Sequence, residues 1–166
     1  MTVHRLAARA LGLALLEAVI VIGLVAVLAL MAIPGLQEKF ARDQVSAALP
    51  IADIAKAPIA AAWAATQTFP ADNAAAGLPV ADKIVGNYVS AMTVANGAIH
   101  ITFGNSANGA LKGKVLSLRP AVVTDAPIVP VSWICAAAPV PAKMTAFGDN
   151  RTTVEPPFLP VSCRAG

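Results

Sequence analysis

The chain has 166 residues, 57% hydrophobic, 13% charged and 5% aromatic, with a mean hydropathy of +0.70. That composition excludes intrinsic disorder, which needs few apolar residues and a high net charge, and it requires a membrane or a subunit interface to take the apolar excess. The formal net charge is +3, but Arg5 and Arg9 supply two of those charges, so the nearly balanced remainder gives no sign of a nucleic-acid surface.

Met1 to Gly12 is a short basic tail carrying His4, Arg5 and Arg9. Leu13 to Leu16 is apolar, Glu17 stands alone, and Ala18 to Leu36 is a run of 19 residues without a charge. Together these reach the roughly 20 residues that a helix needs to cross a bilayer. Apolar residues occupy every face, which suits a membrane or a bundle interior better than a surface helix. The preceding arginines predict a cytoplasmic N-terminus.

Three fates fit such a segment: a secretory signal cut near Ala32, an uncleaved anchor, or a leader cut at Gly12↓Leu13. Glu17 separates them. A carboxylate in hydrocarbon costs roughly 2.5–3.5 kcal/mol on insertion scales, so it needs a partner. Cleavage at Gly12↓Leu13 frees an amine four residues from Glu17, and the two charges neutralise each other within or between chains.

Helix-forming composition continues from Gln37 to about Gln67, interrupted by Pro50 and Pro58. Each proline lacks a helix donor and crowds a carbonyl one turn back, so bends or a break are expected. Pro34 is expected to kink the helix as well. Thr68 to Gly86 is a loop by composition. Tyr88 to Ala95 and Ala98 to Gly104 flank Asn96-Gly97, which predicts a hairpin with a type I′ turn. In the second strand Ile99, Ile101 and Phe103 alternate with His100 and Thr102, so a half-buried strand is expected, with His100 on its outward face and either solvent-facing or packed. Lys114 to Leu118 and Val131 to Cys135 are further strands. Pro120, Pro127 and Pro130 predict a loop or edge between them.

The stretch from Cys135 to Cys163 holds five prolines and is expected to be irregular. Two late cysteines in an exported chain suggest one disulfide. Closing a loop of about 29 residues is worth roughly 3–4 kcal/mol in the chain-entropy model.

Catalytic signals are lacking. His100 has no nucleophile partner in the sequence pattern, Gly113-Lys114 lacks the rest of a phosphate loop, and no ligand set for a metal emerges. Asp149 and Glu155 read as solvated loop residues. Asn150-Arg151-Thr152 fits the glycosylation pattern by its three residues alone, and Trp63 and Trp133 read as core aromatics. No cofactor, metal site or enzymatic activity is expected.

The N-terminal pattern, Gly12-Leu13-Ala14-Leu15-Leu16-Glu17 followed by the apolar run to Pro34, resembles the type IV pilins. In that family a prepilin peptidase cuts after the glycine and methylates the new N-terminal residue. The family has a glutamate four residues and a proline twenty-one residues after that residue, and Glu17 and Pro34 match both spacings from Leu13. Leu13 and Ala14 stand where the family usually has Phe and Thr. Similarity continues through Gln37–Val45, Phe69–Asn73 with Ala76-Gly77, Gly86–Val89, Val94–Ile99, Leu111–Lys114, Trp133–Cys135 and Leu159–Arg164, and the last two segments resemble the ends of the type IVa disulfide loop.

The resemblance implies an α+β fold: a long N-terminal helix on an antiparallel sheet of about four strands, with a loop bounded by the Cys135–Cys163 disulfide. It implies a leader over 1–12, a transmembrane and filament-core helix over 13–36, and a globular domain over 37–166. Cleavage falls at Gly12 and Leu13, N-methylation at Leu13, subunit registration at Glu17 and a helix kink at Pro34. The implied partners are copies of the chain in a helical filament, the prepilin peptidase, the inner-membrane assembly machinery and, before assembly, the membrane. The implied location is the bacterial inner membrane and then an extracellular pilus. Adhesion, twitching motility and DNA uptake are the implied roles, DNA through Lys112, Lys114, Arg119, Lys143 and Arg151. A minor pilin, a type II secretion pseudopilin and a signal-anchored periplasmic binding module are the alternatives.

Overall fold

The computed structural model describes the backbone of residues 2–165 and the side chains of 15–29 and 35–165. Gly12, Leu13 and Pro34, and with them the expected cleavage, methylation and kink, lie outside the residues whose side chains are described. The chain forms two compact units, residues 1–38 and 39–166.

Helix α1 spans Thr2–Ala48. Within the first unit, the large apolar residues from Leu15 to Leu28 are each 54–68% exposed and point in every direction around the helix. The all-round apolar character of the sequence is therefore met by no partner among the described residues of the chain itself. Gly35–Thr66 is also long and apolar enough to cross a membrane on length and composition. It carries Glu38, Lys39, Arg42, Asp43, Asp53 and Lys56, however, and from Ala41 onward one stripe of it is buried, so its part beyond Lys39 is the core helical segment of the second unit.

The second unit begins with the end of α1, a 3-10 turn over Leu49–Ala52, and helix α2 over Asp53–Thr66. The two prolines act differently. Pro50 sits in the first turn of the 3-10 segment, where its missing donor breaks the α-helix into two pieces. Pro58 lies inside α2, which continues through it.

Ala41, Val45, Ala48, Ala52, Ala55, Ile59 and Trp63 recur at spacings of three and four and are all buried. The four alanines on this stripe let the helical segment approach the sheet closely.

The sheet is antiparallel, in the order β1 (Val89–Ala95), β2 (Ala98–Phe103), β3 (Val115–Val122), β4 (Ser132–Cys135), with the two-residue β5 (Thr145–Ala146) beside β3. Asn96 and Gly97 have φ of 48° and 80°, as the expected hairpin turn requires. Register aligns Met92 with Ile101, Val94 with Ile99, Ile99 with Leu118 and Ile101 with Leu116. These side chains and the helical stripe form one core.

The third strand runs four residues past the expected boundary at Leu118, to Val122. Pro120 is thus inside a strand, paired with Trp133 of β4. Its carbonyl accepts from the Phe147 N–H at 2.8 Å. In an antiparallel ladder a residue's nitrogen and carbonyl face the same neighbour. The missing donor therefore falls on the side of β5, beyond the end of β2, where a strand tolerates it.

Candidate functional site

His100 is packed, the second of the two outcomes expected for it. Its side chain is on the face of the sheet away from the helices, as the alternation required, yet it is only 4% exposed. The cause is a strap from the disulfide-bounded loop. Phe147 is tied to β3 on its β2 side, through Pro120. A few residues later the strap is on the β4 side: the Thr153 N–H donates to the Val115 carbonyl at 2.8 Å, and the Val115 N–H donates to Thr153 Oγ1 at 2.8 Å. Between these anchors the chain crosses β3 and covers the second face of β2. Gly148, with φ of 75°, lies so close to this face that an added Cβ would stand 2.6 Å from Ala98 Cβ.

Beneath the strap, His100 Nδ1 and Ser117 Oγ are 2.9 Å apart, and Ser117 Oγ accepts from the Arg151 N–H at 2.9 Å. The serine proton is then free to serve the imidazole nitrogen. Burial pushes the His100 pKa below its ordinary value, the Arg151 guanidinium adds to the effect, and Asp149 opposes it. This histidine is a neutral structural group holding the strap, with no open face to a substrate.

The other ends of the second unit are fastened as well. Cys135, the last residue of β4, is bonded to Cys163 in a 3-10 turn over Val161–Cys163. The expected disulfide is present. Asn150 Nδ2 donates to the Ala136 carbonyl at 3.0 Å, and Thr152 Oγ1 accepts from the Ser117 N–H at 3.1 Å. Both ends of the glycosylation-like tripeptide are thus engaged within the fold.

Trp63 stacks on Phe69 with centroids 4.8 Å apart, and Phe147 lies 5.7 Å from Trp63 and 5.2 Å from Phe69. This trio joins the end of α2, the following loop and the strap. Trp133 is half-buried against the core.

A side chain that the sequence pattern left in a loop holds that loop against the sheet. Asn73 is 8% exposed. Its Nδ2 donates to the Pro79 and Met92 carbonyls at 2.9 and 3.0 Å, and its Oδ1 accepts from the Val94 N–H at 2.6 Å. The amide thus takes the place of a neighbouring strand along the free edge of β1.

The cations named for a nucleic-acid role are partly committed. Lys114 faces Glu155 at 3.8 Å, Arg151 faces Asp149 at 3.6 Å, and Arg119 Nε is buried. Glu17 is exposed in the first unit, amid apolar side chains. Among the described residues no group of His, Cys, Asp or Glu is gathered that could hold a metal.

An exposed apolar helix and a disulfide-tied α+β unit define a class of protein whose first unit needs a partner outside the chain. The family of pilins, bacterial filament proteins, matches residues 41–164. A fimbrial protein of Neisseria meningitidis serogroup B is 31% identical over 162 residues, covering 92% of this chain and 93% of that protein. A type IV major pilin, PilE1, of Neisseria gonorrhoeae is 33% identical over 164 residues, covering 92% of this chain and 86% of that protein. A fimbrial protein of Neisseria meningitidis serogroup A is 33% identical over 163 residues, covering 92% and 93%. The chain belongs to the pilin family, whose members are structural proteins of bacterial filaments.

Proposed function

We propose that the chain is a structural subunit of a type IV pilus, stored in the inner membrane and assembled through its apolar helix. The observation that carries this reading is the helix surface from Leu15 to Leu28, exposed all round and interrupted only by Glu17. Lipid covers such a surface before assembly, and the same surface of neighbouring copies covers it afterwards.

In this reading residues 1–12 are a cytoplasmic leader cut at Gly12↓Leu13, Leu13 is N-methylated, and residues 13–36 span the membrane. Residues 37–166 face the periplasm and then the outside. The Glu17 carboxylate pairs with the Leu13 amine of an adjacent subunit. Wrong axial offsets leave a charge unpaired in an apolar interior, which costs more than a mismatched apolar contact. Pro34 loosens the helix where it leaves the membrane. The relatives' names favour a principal over an accessory subunit.

Identification of the mature N-terminus by mass spectrometry tests the reading. Leu13 supports filament assembly, Met1 supports an anchor, and Ile33 supports plain secretion. Electron microscopy of cells lacking the protein then separates the roles: loss of all filaments marks the principal subunit, and their retention an accessory one. Adhesion and twitching belong to the exposed head in this reading. DNA uptake rests on few free cations and is tested by the salt dependence of binding.

A further inference from the structure

Arg42 of α1 and Arg164 at the C-terminal end converge on a single uncharged oxygen. Arg42 Nη2 and Nε donate to the Pro157 carbonyl at 2.9 and 3.3 Å. Arg164 Nη2 donates to the same carbonyl at 3.2 Å, and its Nε donates to the Leu159 carbonyl at 2.9 Å. The two Nη2 nitrogens, each within 3.2 Å of one atom, are separated by no more than about twice that distance.

A carbonyl dipole does not neutralise two guanidinium charges. Among the described residues no carboxylate lies within 4.0 Å of either one. Asp43, the next residue along α1, makes no ion pair with Arg42 and is exposed. Both arginines are half-buried, and each keeps unused N–H groups on its outer nitrogens. Paired forks with free donors suit a tetrahedral oxyanion, which accepts from both at once.

The place of the pair in the chain selects the source of that oxyanion. Arg42 is six residues beyond Leu36, where the apolar run ends. Six residues reach at most about 20 Å, and less when helical. The headgroup layer begins where the hydrocarbon ends.

We propose that Arg42 and Arg164 form a binding site for the phosphate of an anionic phospholipid, occupied while the chain is in the membrane. The site rests on the membrane stage of the proposed function. It would hold the head against the bilayer surface until assembly withdraws the helix from lipid.

The test uses the full-length chain reconstituted in vesicles of equimolar phosphatidylglycerol and phosphatidylcholine. Insertion is read first, by retention after an alkaline carbonate wash. Retained lipid is then read by native mass spectrometry after mild detergent extraction. The expected result is one phosphatidylglycerol held in preference to phosphatidylcholine. Replacing both arginines (Arg42→Gln with Arg164→Gln) should weaken this retention roughly tenfold, as loss of charge-assisted bonds worth over 1.4 kcal/mol implies.

A control with Lys56→Gln and Lys83→Gln removes as much charge elsewhere and should retain the lipid. Intact disulfide and unchanged circular dichroism establish that the arginine variant is folded. If it does not fold, Arg42→Lys with Arg164→Lys replaces it, because a lysine pair keeps the charge but loses the fork and should bind more weakly. Equal retention of both lipids, or retention unaffected by the arginine variants, overturns the site. Displacement of phosphatidylglycerol by inorganic phosphate at equal concentration overturns the lipid assignment in favour of a soluble anion. Failure of the carbonate step overturns the membrane stage itself, and is distinguishable because it precedes any lipid reading.

Discussion

Asn73→Ala is the most informative single change in the head. The side chain is 8% exposed and makes three hydrogen bonds, to the Pro79 carbonyl, the Met92 carbonyl and the Val94 N–H. Truncation leaves two acceptors and one donor with no partner. A buried polar group left unpaired costs about 1–3 kcal/mol. A carbonyl keeps a second lone-pair option and the site lies near the edge of the sheet, where water relieves part of the loss, so we take about 3 kcal/mol for the whole change.

For a domain of this size that is a fall in Tm of roughly 10 °C. Thermal unfolding of the full chain in detergent micelles, followed by near-ultraviolet circular dichroism, reads it. Asn73→Asp discriminates the cause, because it keeps the acceptor for Val94 but sets a carboxylate against two carbonyl oxygens. It should be at least as damaging as alanine. A shift of under about 2 °C in Asn73→Ala, or an Asn73→Asp protein as stable as the parent, would refute the role given to this amide.

Four further outcomes follow from the same geometry. His100 has a lowered pKa in the folded state through burial, so on acidification the unfolded chain takes up the proton first; stability should fall as pH drops below the unfolded value near 6.5, by at most about 1.4 kcal/mol per pH unit, and a His100→Gln chain should lack this component in a pH series of urea unfolding curves. Gly148→Ala should cost about 2 kcal/mol, since its Cβ would meet Ala98 at 2.6 Å at a φ of 75°, whereas Gly109→Ala, with nothing within 4 Å, should be neutral; thermal midpoints compare them. Replacing Cys135 and Cys163 by serine should cost about 2–4 kcal/mol and expose the C-terminal loop to protease, visible as faster cleavage on a gel. Glu17→Ala should lower filament yield while leaving the head's circular dichroism unchanged, and normal yield in that variant would remove the registration role.

The elements legible in the sequence are those with strong local chemistry. Asn96-Gly97 can hardly be anything but a primed turn, and the alternation of Ile99, Ile101 and Phe103 locates β2 within a residue. The uncharged run before Pro34 declares an apolar helix without help from tertiary structure. The helical stripe from Ala41 to Trp63 is illegible in the sequence for a physical reason. Alanine is abundant on all sides of this helix, so the buried and exposed alanines carry no contrast in hydropathy.

The points the sequence leaves open share one origin, the long-range strap. Alternation correctly assigns His100 to the face opposite Ile99 and Ile101, but whether that face meets water depends on residues 47 to 51 positions further along the chain. No local pattern contains that information. The same crossing explains Pro120. A proline in a strand is excluded only where a neighbour needs its donor, and the crossing strap places a two-residue strand on that side, with one ladder bond missing. Asn73 follows the same logic in reverse. An Asp-Asn pair after a Phe-Pro reads as loop chemistry, and only the β1 edge folding back beside it turns an ordinary loop amide into a substitute for a strand. Side chains that replace backbone in this way are invisible to periodicity, because they obey the hydrogen-bonding demand of a partner distant in sequence and not the pattern of their own segment.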